Sequence, residues 1–131
     1  MLFWYTLRAL AVIALVGFLT VGLAFAFKPQ WFTGADVTRE SALWHSLSLA
    51  FMATVSIIAL MIALKPEKYW EMLLPLAIGK AVSSISSLLW ARVHTGSSWL
   101  ELNTIVDGTI ALIAISLYTW AKIHKPTKHV N

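Results

Sequence analysis

No cysteine occurs anywhere in the chain, which excludes disulfides, thiolate metal sites and a cysteine nucleophile and leaves the redox compartment open. Charge is scarce as well: Asp, Glu, Lys and Arg make up 12% of the 131 residues, against roughly 25% in a soluble domain. There is no glycine-rich phosphate loop, no HExxH and no nucleophile elbow, so no familiar catalytic signature offers a starting point. Basic side chains gather at the ends and in the connections rather than in a groove interleaved with aromatics. The net charge of +4 therefore indicates membrane topology, with no nucleic-acid partner.

Apolar residues fill the space that charge leaves: they are 59% of the chain, and the mean hydropathy is +0.75. Residues 9–27 form a run of nineteen without a charge, and a helix needs about 20 apolar residues to cross a hydrocarbon core. Three further runs, 41–64, 72–91 and 102–121, have similar character. They show neither the period-2 alternation of a barrel strand nor a single narrow amphipathic stripe, so helices are the reading. Ala24-Phe25-Ala26 imitates a signal-cleavage site, but the run before it is longer than a signal core and only Arg8 precedes it, so the segment is expected to stay as a span.

The connections follow. Residues 28–40 carry Pro29 and Gly34, with Thr38 or Ser41 as helix caps. Residues 65–71 and 93–99 are short loops that make antiparallel neighbours, with Gly96 as the break in the second. Six cationic residues (Arg8, Lys65, Lys68, Lys122, Lys125, Lys128) fall on one side and three (Lys28, Arg39, Arg92) on the other, which places both termini in the cytoplasm. The aromatics agree: Trp4, Trp70, Trp120 and all three tyrosines lie at the cytoplasmic ends, and Trp31, Trp44, Trp90 and Trp99 at the outer ends. The fold class is thus all-α: a single domain, an integral membrane antiparallel four-helix bundle with both termini cytoplasmic, in a cell (inner) membrane, ending in a basic tail over 122–131. A faint echo at an offset of 55 residues aligns 53–59 with 108–114 and Trp44 with Trp99. Shared apolar composition is its expected cause.

Two charges fall well inside apolar runs, Lys80 and Asp107, and an intramembrane charge tends to face a bundle interior or a cavity. Measured from the ends of the apolar runs, Asp107 lies about 8 Å and Lys80 about 17 Å from the outer side, at about 1.5 Å of rise per residue. That offset argues against a direct salt bridge. The expected arrangement has Lys80 snorkelling toward the cytoplasm and Asp107 bonding in the outer polar layer, with a water-linked pair as the alternative and a transport or catalytic role beyond that. Steps of three and four put Lys80, Ser84, Ser87, Ala91 and His94 on one face, Asn103 and Asp107 one turn apart on the last helix, and His45, Ser48, Met52 and Ser56 on the second. Close helix packing explains such small and hydroxylated faces, and a narrow polar cavity is the sharper reading.

An outer-mouth cluster would gather Arg39, Glu40, His45, Arg92, His94 and Glu101, with Glu40 and Glu101 suited to helix N-termini. His45 and His94, at one depth on neighbouring helices, could ligate a haem b iron or another metal, although an interface rich in tryptophan suits a histidine ring without any metal. No cofactor is predicted on this basis. Three functions remain open. The first is a non-catalytic accessory or scaffold subunit of a larger membrane complex, with other membrane subunits or further copies of itself as partners beside the lipid bilayer. The second is a small carrier or channel using Lys80 and Asp107, and the third a haem or quinone redox protein using His45 and His94.

Overall fold

A computed structural model of the chain describes residues 1–34, 36–93 and 98–124. The described residues are helical with no strand, and four of the helices are long and apolar enough to cross a membrane. In order they are α1 (Leu2–Phe27), the short α2 (Gln30–Thr33), α3 (Ala42–Leu64), the short α4 (Pro66–Tyr69), a 3-10 turn (Trp70–Met72), α5 (Leu73–Val93) and α6 (Ser98–His124). The chain divides into two compact units, Met1–Tyr69 and Trp70–Asn131.

The helices outrun the apolar stretches that announce them. α1 begins seven residues before the first uncharged run and α6 four before the last. Polar residues such as Thr6, Ser98 and Glu101 extend a helix whose apolar middle has already nucleated it. The segment 65–71 is likewise no plain loop. Pro66 opens α4 with its fixed φ, Glu67 sits in that first turn, and the 3-10 turn carries the chain onward into α5.

In the first unit α1 packs along α3. α1 buries Leu7, Ala11 and Phe18, and α3 buries Val55, Ser56, Ala59 and Ile62, each set at helical steps along one face. A Cβ on Gly22 would lie 3.3 Å from the Cβ of Met52, which marks the closeness of this crossing. The two ends are pinned by polar contacts. Arg8 Nη2 donates to the Leu64 carbonyl at 3.4 Å, and His45 Nε2 donates to the Phe25 carbonyl at 3.1 Å. These contacts pair the start of α1 with the end of α3 and the reverse, so the two helices are antiparallel. The link between them turns at Gly34, whose φ of +71° only glycine adopts without strain. Both cap candidates are then used together. Thr38 N–H donates to Ser41 Oγ at 2.9 Å and Ser41 N–H to Thr38 Oγ1 at 3.3 Å, a reciprocal exchange of the capping-box kind ahead of α3.

In the second unit α5 packs along α6. α5 buries Leu73, Leu76, Ala77, Lys80 and Ser87; α6 buries Asp107, Ala111, Ala114 and Ala121. The three alanines let the helices approach closely, as helices in lipid do. Trp70 is buried and packs on Tyr118 with ring centroids 5.4 Å apart, closing the end of the hairpin opposite its turn.

Between 11% and 28% of the residues in the core of each span are buried, and large side chains such as Ile13, Val16, Ile57, Ile85, Ile105 and Leu112 face outward. On a water-soluble protein such faces would be an aggregation surface. On membrane helices they meet the apolar solvent that favours them.

Candidate functional site

Beside the Arg8 and His45 contacts at the two ends of the first hairpin, a row of polar groups crosses between α5 and α6 within the second. Ser84 Oγ donates to the Thr104 carbonyl at 2.7 Å, and Asn103 Nδ2 donates to Ser87 Oγ at 2.8 Å and to Ser83 Oγ at 3.3 Å. These bonds fix the register of an antiparallel pair in which Ser84 faces Thr104. One turn further from the hairpin bend, Lys80 on α5 and Asp107 on α6 form the next row, with Lys80 Nζ 2.8 Å from Asp107 Oδ1. Each side chain is 5% exposed.

The direct salt bridge overturns the expected arrangement, in which Lys80 reached for the cytoplasmic side and Asp107 for the outer polar layer. The depth estimate failed because it was measured from the ends of the apolar runs. α5 continues to Val93 and α6 starts at Ser98, so Lys80 stands thirteen residues before the end of one helix and Asp107 nine after the start of the other. The remaining offset of about 6 Å at 1.5 Å per residue is within reach of the long lysine side chain and is reduced further by the observed register.

A charge alone in hydrocarbon costs at least about 2.5–3.5 kcal/mol, so two opposite charges at one depth on facing helices neutralise each other where neither could be hydrated. No buried side-chain nitrogen or oxygen among the described residues lacks a hydrogen-bond partner. Gly108, next to Asp107, completes the packing. A Cβ there would sit 3.0 Å from Ser84 Oγ, so glycine is what allows the serine to reach the Thr104 carbonyl. Thr104 and Gly108 carry no charge; the signal that finds them is their spacing, with Gly108 one turn after Thr104 on the face that carries Asp107.

The serines of α3 behave differently. Ser48 Oγ donates to the Trp44 carbonyl at 2.9 Å and Ser56 Oγ to Met52 at 2.7 Å, each within its own helix. Such back-bonding satisfies a hydroxyl in lipid without a partner helix. On the polar face read along α3, among the described residues, His45 alone bonds to a neighbouring helix, whereas the serines of α5 bond across to α6.

Of the outer-mouth residues, Arg39, Glu40 and His45 belong to the first unit and Arg92 and Glu101 to the second. Arg39 and Glu40 are exposed in the turn before α3, where the Glu40 carboxylate accepts the Thr38 hydroxyl at 3.2 Å. Arg92 is exposed in the last turn of α5 and Glu101 in the first turn of α6. None of the four forms an ion pair among the described residues. His45 is half-buried, stacked on the Phe25 ring with centroids 4.8 Å apart. Its Nε2 hydrogen is given to the Phe25 carbonyl, so this nitrogen ties α1 to α3. His94, its proposed partner for haem, and Gly96 lie outside the described residues, as does the tail beyond residue 124. No group of three or more metal-ligating side chains exists among the described residues.

What the arrangement can do is therefore specific. It holds two helices in one register by an ion pair and a ladder of hydroxyl and amide bonds, in a medium where hydrophobic attraction between helices is lost. Compared with known proteins, the chain matches no family model, no curated protein and no solved structure.

Proposed function

We propose that the protein is a non-catalytic accessory or scaffold subunit of a larger membrane assembly. Its four spans are taken as an antiparallel bundle with both termini in the cytoplasm, in a cell (inner) membrane. The observation that carries this reading is the sealed state of the intramembrane charges: Lys80 and Asp107 satisfy each other at 2.8 Å with 5% exposure, and the neighbouring serines and Asn103 bond to one another or to backbone. A group that binds a transported ion or reacts with a substrate has to be reachable. A pair with this burial serves instead to fix the register of two helices. What the molecule presents outward is apolar helix surface, the kind that lipid or the helices of other subunits cover.

Extraction from the native membrane in mild detergent, followed by size-exclusion chromatography and mass spectrometry, tests the proposal. The expected result is a particle of fixed composition containing other membrane subunits in simple stoichiometry. Recovery of the chain alone as a stable monomer would overturn it.

A further inference from the structure

The Lys80–Asp107 row is self-contained, but a second pair of opposite charges in the molecule is not. At the end of the first hairpin where α1 begins and α3 finishes, a pocket of about 120 Å³ is lined by Met1, Trp4, Tyr5, Arg8 and Glu67. That is room for a group much larger than one water molecule. Arg8 gives one hydrogen bond, to the Leu64 carbonyl at 3.4 Å, out of the five N–H donors of a guanidinium. Glu67 has no hydrogen-bond or ion-pair partner among the described residues, and the two charges line the same pocket without pairing with each other. Trp4 and Tyr5 flank them, the residue types that sit at headgroup level in a bilayer.

We infer that this pocket binds the headgroup of a zwitterionic phospholipid, specifically phosphoethanolamine. The phosphate is taken by Arg8, whose planar fork matches phosphate oxygens. The primary ammonium donates to the Glu67 carboxylate, with the Trp4 and Tyr5 rings beside it as cation–π surfaces. A purely anionic headgroup would leave Glu67 facing a like charge. A choline headgroup would satisfy the rings but has no N–H to give to the carboxylate. The apolar run that follows Arg8 on α1 and the one that precedes Leu64 on α3 provide the surface along which the acyl chains lie. The inference rests on these helices lying in a membrane and not on the accessory role, so the two stand or fall separately.

The test is native mass spectrometry of the purified full-length protein in mild detergent, titrated with short-chain phosphatidylethanolamine, phosphatidylcholine and phosphatidylglycerol. Circular dichroism confirms that each variant remains folded. The expected result for the wild type is retention of phosphatidylethanolamine over the other two by about tenfold, the factor given by one charge-assisted contact. Arg8→Gln should weaken phosphatidylethanolamine and phosphatidylglycerol alike, whereas Glu67→Gln should weaken only phosphatidylethanolamine and erase its advantage over phosphatidylcholine. Lys28→Gln, at the opposite end of α1, should leave all three unchanged. Equal retention of the three lipids, a preference for phosphatidylglycerol, or a preference that survives Glu67→Gln would each overturn the assignment.

Discussion

An ammonium and a carboxylate brought together inside a membrane are a neutral unit only while both are present. Removing one leaves the other charged in a site with 5% exposure, and breaking a buried pair in this way typically costs about 3–5 kcal/mol. Asp107→Asn and Lys80→Met are each expected to destabilise the folded protein by that order. The double variant Lys80→Met with Asp107→Leu should recover most of the loss, because apolar residues of similar size need no partner there. Unfolding of the purified protein in mixed micelles with increasing SDS measures this cycle. If each single variant costs no more than the roughly 0.6 kcal/mol of an average membrane hydrogen bond, the pair is not what holds the hairpin. The same double variant also decides between the two readings of the pair. A folded double variant reconstituted into liposomes that has lost a flux shown by the wild type would make the carrier reading the better one.

The hairpin of α5 and α6 owes its register to small residues as much as to charge. Gly108 sits mid-helix, where alanine is favoured by about 1 kcal/mol, yet its Cβ position is 3.0 Å from the Ser84 hydroxyl. Gly108→Ala therefore sets helix propensity against a hydrogen bond worth about 1 kcal/mol, and the single variant should be close to neutral. With Ser84→Ala already in place the obstruction is gone, and adding Gly108→Ala should then stabilise by about 1 kcal/mol in the same SDS titration. Equal effects in both backgrounds would mean that the two residues do not meet. This level of detail also shows where the sequence could be read and where it could not. Lys80 and Asp107 stand out as charges in apolar runs, and steps of three and four place Ser84 and Ser87 with Lys80 and Asn103 with Asp107. Whether the two faces meet depends on where the helices end, and polar residues such as Ser98 and Glu101 hide the true start of α6 from any measure based on apolar length. Of the two histidines, His45 lies within the described residues, and its contact with a carbonyl one helix away leaves no mark in the sequence.

Across the faint echo between 53–59 and 108–114, Ser56 and Ala111 are both buried, as are Ala59 and Ala114, whereas Val55 is buried and its counterpart Ile110 is only partly so. Positions three apart on one face of any packed helix give that much agreement, so apolar composition suffices to explain the echo. With hairpins of this kind the asymmetry of lysine and arginine sets which way the chain faces, and the absence of cysteine makes that directly measurable. Single cysteines at Asp36, Glu67 and Ser98 occupy exposed positions at successive ends of the spans. A membrane-impermeant maleimide applied to intact cells is expected to label Asp36→Cys and Ser98→Cys, and to reach Glu67→Cys only after the membrane is disrupted. The reverse pattern would place both termini outside and make the excess of cations near the chain ends irrelevant to orientation. Labelling of Asp36→Cys and Glu67→Cys from the same side would instead remove α3 as a span, because a single helix of 23 residues is all that connects those two ends of the first hairpin across about 30 Å of hydrocarbon.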